Sequence, residues 1–235
     1  MDSRVPPVRR AVILAAGKST RLGGANKLLV EAGGAPAHEW HERLLRGIPT
    51  TIITRSEDRA EVAAAATWAE VIAHPKFDGP VGALSSYVEF YGDRQEELLV
   101  LFGDTLLVPQ PLPTKSWVGI ALAPARVWDL PSPWGWARGK IALPVCVGIY
   151  SFDQPERLKR AIGVVMAQGE GADLPMVKLL NEYRRDTPLS ENLVRGWYDA
   201  GDAEALRRVP DFSEVLLEDP TRLDTIGFLD LGLTR

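Results

Sequence analysis

Leu14-Ala15-Ala16-Gly17-Lys18-Ser19-Thr20-Arg21-Leu22-Gly23-Gly24-Ala25-Asn26-Lys27 continues a short apolar run, Ala11 to Ala15. The run reads as a buried strand, and its arrest at Gly17 reads as that strand feeding a loop. Small residues at Ala15, Ala16 and Gly17 let backbone amides approach a nucleotide closely, while Arg21 and Lys27 supply cations for phosphate oxygens. The bland competitor is a glycine-rich turn with solvated basic residues. Gly17-Lys18-Ser19 imitates the end of a P-loop, but that motif needs a glycine five positions before Gly17, where Val12 stands. No Gly-x-Gly-x-x-Gly follows the strand, so a dinucleotide fingerprint is absent as well.

Working outward, strand and helix patterns alternate. His38 to Arg46 carries Trp40, Leu44 and Leu45 at helical spacing, with Ala35-Pro36 as its entry, and Thr50 to Thr54 is a β-branched strand. Arg59 to Trp68 reads as helix, Ala69 to Ala73 as strand, Pro80-Val81-Gly82 as the opening of a helix through Tyr91, and Leu98 to Phe102 as a buried strand ended by Gly103-Asp104. Such alternation predicts an α/β fold: a Rossmann-like, mostly parallel sheet flanked by helices in three layers. Ligands gather at the carboxyl ends of strands in such sheets, where Gly17 and Asp104 both lie. In the second half, Val118 to Ala123, Ile141 to Tyr150 and Val194 to Tyr198 read as strands, and Gln154 to Gln168, Pro175 to Asp186 and Ala203 to Arg208 as helices. Pro124 to Gly139, with Trp128, Trp134 and Trp136, reads as a long loop or flap.

Composition narrows the classes. The 235 residues are 46% hydrophobic and 25% charged, enough apolar material for a sizeable core, and a single domain over residues 1–235 is expected, with its core at about 11–209 and an acidic tail at 211–235. Against 27 Lys+Arg stand 31 Asp+Glu, a net charge of −4 that offers nucleic acid no global attraction. The lone Cys146 cannot close an intrachain disulfide, no Cys/His cluster suggests structural zinc, and no apolar run approaches the roughly 20 residues that span a bilayer. A cytoplasmic protein with no membrane partner is the expectation, and Met1 to Arg10 lacks the apolar stretch of a signal peptide.

Leu-Ala-Ala-Gly, then Arg21, then Lys27 after Gly-Gly, resembles the opening of the nucleotidyltransferase superfamily, which includes sugar-phosphate nucleotidylyltransferases and the molybdenum-cofactor (MobA-like) NTP transferases. The six-residue step from Arg21 to Lys27 is closer to the molybdenum-cofactor branch. The resemblance implies a GT-A-like fold, a triphosphate cradle from Leu14, Ala15, Ala16, Gly17, Lys18, Ser19 and Thr20, and catalytic roles for Arg21 and Lys27. Guanylyl-transferring relatives often carry Gly-Gly in place of Ala16-Gly17, so a pyrimidine triphosphate, CTP or UTP/dTTP, is implied. Asp78-Gly79-Pro80-Val81-Gly82 resembles the segment that borders the base, which adds Gly79, Pro80 and Gly82 to the nucleotide-binding set.

Nucleotidyl transfer must neutralise charge, and Mg²⁺ held by carboxylates is the usual means. Asp104 ends an apolar strand in Leu101-Phe-Gly-Asp104-Thr, where it reads either as a turn or cap residue or as a ligand. The matching aspartate of the family binds metal. Gly196-Trp-Tyr-Asp199-Ala-Gly201-Asp202 resembles the Trp-x-Asp-x-Gly-Thr motif of the sugar branch, whose aspartate is the second metal ligand. Asp202 replaces the usual threonine and competes with Asp199 for the metal or caps the helix that follows; Asp199 is preferred.

For the acceptor, Lys140 stands where sugar-phosphate relatives place a phosphate-binding lysine, with Arg138 and Lys178 as competitors, and Val147-Gly148-Ile-Tyr resembles the strand lining the acceptor pocket. Trp136 and its neighbours would stack on a sugar, cage a cationic head group, or close a hydrophobic lid. His38 and His41 are at i and i+3 rather than the i and i+4 of a zinc-protease motif, and read as helix-surface residues. Cys146 reads as buried and inert, and His74 as lacking an obvious partner.

The expected activity is Mg²⁺-dependent transfer of a nucleotidyl group from a nucleoside triphosphate to a small phosphorylated acceptor, foremost a sugar phosphate, with release of pyrophosphate. Molybdopterin and phosphocholine cytidylyltransferases are the alternative acceptor classes. A P-loop kinase or ATPase relying on Lys18 and a non-catalytic nucleotide-binding module are the rivals from other classes. A homo-oligomer is the remaining partner expectation, and the tail after Asp211 would either pack on the domain or serve an interface.

Overall fold

The computed structural model describes residues 9–76, 78–92, 96–124, 142–169, 174–207 and 209. The chain runs β1 (Arg9–Ala15), a 3-10 turn (Thr20–Leu22), β2 (Glu31–Ala32), β3 (Ala35–Pro36), α1 (Ala37–Leu44), β4 (Thr50–Arg55), α2 (Arg59–Ala65), β5 (Glu70–His74) and α3 (Gly79–Tyr91). It continues with β6 (Glu97–Phe102), β7 (Thr105–Leu107), β8 (Trp117–Pro124), β9 (Ala142–Phe152), α4 (Pro155–Ala167), α5 (Met176–Tyr183), β10 (Ser190–Leu193), β11 (Trp197–Asp199) and α6 (Ala203–Leu206).

A seven-stranded sheet in the order β10-β8-β9-β6-β1-β4-β5 forms the middle layer. Only β9 runs antiparallel to its neighbours, so the sheet is mostly parallel as expected. Strands buried on both faces must be apolar throughout, which is why β1 and β6 read as continuous hydrophobic runs. Side chains of β1 alternate between the layers: Val12 and Leu14 join Val81, Leu84, Ile162 and Tyr183 of α3, α4 and α5, whereas Ala11, Ile13 and Ala15 join Leu44 and Val62 of α1 and α2. From β1 the chain moves outward to β4 and β5, then returns to place β6 on the other side of β1. The β1/β6 junction is therefore the point where the strand order reverses, the place where ligands bind at the carboxyl ends of strands in such sheets.

Three expectations change. Val194 to Tyr198 is not one strand: β10 ends at Leu193 beside β8, and the chain turns through Gly196, at φ +54, into β11, which pairs with β7. Cys146 is exposed, since β9 alternates there with Val147 as the buried neighbour. His38 and His41 lie on the buried face of α1 with Ala37, Trp40 and Leu44, rather than on its surface. The flap from Pro124 to Gly139, Lys140 and the tail from Asp211 lie outside the described residues, apart from Pro124 at the end of β8.

Candidate active site

The carboxyl ends of β1 and β6 abut. The Gly103 N–H donates to the Leu14 carbonyl at 3.0 Å, and a Cβ on Gly103 would lie 3.1 Å from that of Ala15. A side chain at 103 would push the two loops apart, so the glycine sets their separation. Beyond it, Asp104 and Thr105 lead into β7, whose partner β11 places Trp197 opposite Leu107, Tyr198 opposite Leu106 and Asp199 opposite Thr105. The Ala200 N–H extends the ladder to the Asp104 carbonyl at 2.8 Å. This ribbon rests on a small core of Ala32, Ala35, Trp40, Leu106, Val108 and Ala200, with the Trp40 ring edge-on to Tyr198 at 5.8 Å. Backbone pairing thus brings two carboxylates almost a hundred residues apart to one place.

Gly201 marks their meeting point. A Cβ there would lie 2.8 Å from Asp199 Oδ1, 3.2 Å from an Arg21 guanidinium nitrogen and 3.4 Å from Asp104 Oδ2. The Lys27 ammonium forms an ion pair with Asp104. Asp199 accepts the Gly201 N–H at 2.7 Å, and its carboxyl is held above the ordinary value, first by burial and further by the charge of Asp104, against that hydrogen bond and Arg21. Asp202 turns to other work: its Oδ1 accepts the N–H groups of Glu204 and Ala205 and caps α6, while Oδ2 lies 3.8 Å from Arg21.

These groups suit a divalent cation of the Mg²⁺ type. Two carboxylates converge where the charge of Asp104 adds to the cost of ionising Asp199, and Mg²⁺ is commonly held by one or two protein carboxylates together with substrate phosphates. No group of three His, Cys, Asp or Glu suited to a metal occurs among the described residues. Asp104 and Asp199 would be the protein's share of such a site.

The remaining cradle residues lie on the same edge. Gly17 and Lys18 are exposed beyond β1, and Ser19, at φ 49, leads into the one-turn 3-10 segment rather than the long helix that follows a P-loop lysine. Gly79, Pro80 and Gly82 form the first turn of α3 beyond β5, and a Cβ at Gly82 would meet the Asp78 carboxylate at 1.9 Å. Gly148 approaches from β9: at φ +75, its position would place a Cβ 2.5 Å from Thr105 Oγ1 and 2.9 Å from Phe102. Lys178 is exposed on α5, and Lys140, Arg138 and Trp136 lie outside the described residues.

Sequence reading missed several supporting side chains. His41 is fully enclosed and donates from Nε2 to the Gly103 carbonyl at 3.3 Å, since that oxygen can only accept. Burial pushes its pKa down to about 4, opposed by the Gly103 carbonyl and by Asp104 and assisted by His38, so a neutral ring braces the Asp104 loop. His74 has two partners: Nε2 donates to Asp78 at 2.7 Å and Nδ1 meets the Ser86 hydroxyl at 2.8 Å. Asn26, Arg55 and Asp58 form a network behind Lys27.

Residues 11–127 match the model of the MobA-like NTP transferase domain. No curated protein matches the chain. Among solved structures, the chain is similar to a Bacillus anthracis protein provisionally named a glucose-1-phosphate thymidylyltransferase and solved with sucrose, at 19% identity and a TM-score of 0.66 over 92% of this chain and 99% of that one. A nucleoside-diphosphate-sugar pyrophosphorylase from Vibrio cholerae RC9 gives 18% and 0.63 over 88% and 100%. The inositol-1-phosphate CTP transferase of T. maritima gives 12% and 0.62 over 88% and 97%. At these identities the likeness establishes the shared fold.

Proposed function

The chain belongs to the nucleotidyltransferase superfamily through its MobA-like NTP transferase domain, and from that premise we propose that it transfers a nucleotidyl group from a nucleoside triphosphate to a small phosphorylated acceptor, of the sugar-phosphate class, releasing pyrophosphate. The observation that carries this reading is the convergence of Asp104, Asp199 and Arg21 on Gly201, with Lys27 on Asp104, at the point where the strand order reverses. The names of the three similar structures, two concerned with sugar nucleotides and one with inositol 1-phosphate, support the acceptor class.

In this reading an acceptor phosphate oxygen attacks the α-phosphorus, a new P–O bond forms, and the bond to the β-phosphate oxygen breaks. No protein nucleophile is needed, so rate comes from alignment and charge. Amides around Ala16 and Gly17 hold the triphosphate, and Lys27 and Arg21 offset the charge that grows on the leaving pyrophosphate. Mg²⁺, when bound by Asp104 and Asp199, would supply further neutralisation of the phosphates. Gly148 lets β9 pack closely against Thr105 and Phe102 beside the site.

The test is product analysis. CTP, UTP, dTTP, GTP and ATP are each offered with Mg²⁺ and a panel that includes glucose 1-phosphate, inositol 1-phosphate and phosphocholine. Pyrophosphate release with one pair supports the transferase. Orthophosphate release points instead to γ-phosphate chemistry, and binding without any product points to a nucleotide-binding module.

A further inference from the structure

Lys27 is held from behind by side chains that come from the far end of β4. Asn26 is buried at 4% exposure; its Nδ2 donates to Thr54 Oγ1 and to Asp58 Oδ2, both at 2.8 Å, and its Oδ1 accepts the Leu28 N–H at 3.0 Å. Arg55, also buried, donates from Nε to the same Asp58 oxygen at 2.6 Å and from a terminal nitrogen to the Gly24 carbonyl at 2.8 Å. The chain is therefore gripped at Gly24, at Asn26 and at Leu28, on both sides of Lys27.

Asp58 shows what this arrangement is for. It occupies the residue before α2, where an aspartate ordinarily accepts the helix's first N–H groups, yet it makes no such capping bond. Its carboxylate is turned to Asn26 and Arg55 instead. Position 26 also needs an amide: it must donate to Asp58 and accept from Leu28 at once, which a carboxylate cannot do.

We propose that Asn26, Asp58 and Arg55 are positioning residues that fix the backbone on either side of Lys27 and so aim its ammonium at Asp104 and at an incoming triphosphate. This rests on the reading of Lys27 as a triphosphate-facing cation. A buried network whose members are all satisfied holds one geometry, and a displacement of about an ångström in a charge-bearing group is enough to weaken its action on a reacting phosphate.

The experiment is a mutant cycle on the full chain, read as binding of the triphosphate that the wild type takes best among CTP, UTP, dTTP, GTP and ATP with Mg²⁺. Asn26→Asp keeps the shape but sets a second carboxylate against Asp58, and should weaken binding about tenfold, the scale of one lost ionic contact. The swap Asn26→Asp with Asp58→Asn restores the single negative charge of the pair and removes the facing carboxylates, and should recover at least about threefold of the affinity that Asn26→Asp loses. In a Lys27→Met background, Asn26→Asp should cost nothing further, because its effect passes through Lys27. If Asn26→Asp does not fold by circular dichroism, Asp58→Ala carries the same cycle. Unchanged binding in Asn26→Asp, a swap that restores nothing, or a loss that adds to that of Lys27→Met would overturn the clamp while leaving the transferase reading intact. A folded wild type that binds no triphosphate would overturn both.

Discussion

The Lys27 ammonium pairs with the Asp104 carboxylate, 77 residues along the chain, with both side chains largely withdrawn from solvent. In the proposed reaction, a cation that would meet phosphate thus rests on a carboxylate that would hold metal. The two cannot both be fully engaged until a triphosphate draws the lysine away, so nucleotide and cation should bind together better than either binds alone.

Lys27→Met should therefore move two affinities in opposite directions. Triphosphate binding should fall at least about tenfold, as for other charge-assisted phosphate contacts. Mn²⁺ binding without nucleotide, followed by electron paramagnetic resonance, should tighten, because Asp104 loses its competing cation. Both affinities falling together would contradict the exchange.

Asp199 should trade stability for function. Its carboxyl titrates above the ordinary value in the folded state, so the folded protein binds that proton more tightly than the unfolded chain does. Stability then falls as pH rises from about 3.8 through the raised value, and the ionised group is a liability at neutral pH. Asn at this position should raise the melting temperature at pH 7 relative to the wild type, lose that advantage at about pH 3.5, and abolish Mg²⁺-dependent turnover. Calorimetric melts at the two pH values, with a pyrophosphate assay, check all three.

His41 gives the opposite slope. Its pKa falls from 6.5 to about 4 on folding, so the stability of the neutral ring is present above pH 6.5 and lost as pH falls toward 4. His41→Gln keeps a donor for the Gly103 carbonyl but does not titrate, and should flatten the acid limb in melting temperatures recorded from pH 7.5 to 4.5. The other titratable groups that act on the ring are Asp104 and His38. An unchanged acid limb would show that the ring is not held neutral.

Two glycines should fail in different ways. Gly148→Ala combines a left-handed backbone with a Cβ 2.5 Å from Thr105 Oγ1, and should cost about 2 kcal/mol or more in denaturant titration. Gly201→Ala meets mostly side-chain atoms of Asp199, Arg21 and Asp104, which can give way. It should leave the fold largely intact while cutting Mg²⁺-dependent turnover more than stability.

What the sequence disclosed followed from periodicity. Strands β1, β4 and β6 are buried on both faces, so β1 and β6 carry long apolar runs and β4 a β-branched one, and the loops at their carboxyl ends identify themselves by glycine and charge. Asp199 was legible through the residues around it, yet its meeting with Asp104 depends on the β7/β11 pairing, and β7 is too short to leave a pattern. His41 was misread because a polar residue on an amphipathic helix is assigned to the wet face, and only the Gly103 carbonyl opposite explains its burial. The Asn26, Arg55 and Asp58 network was invisible for a different reason: Asn26 is about 30 residues from the other two, and each is ordinary in its own segment.

The most direct measurement is pyrophosphate release by the wild type and by Asp104→Ala, side by side, with Mg²⁺, a pyrimidine triphosphate and a phosphorylated acceptor. The expected result is Mg²⁺-dependent release by the wild type that falls by about a hundredfold or more in the variant, whose melting temperature shifts by only a few degrees. A folded Asp104→Ala protein that keeps full Mg²⁺-dependent activity would contradict the assignment of this site.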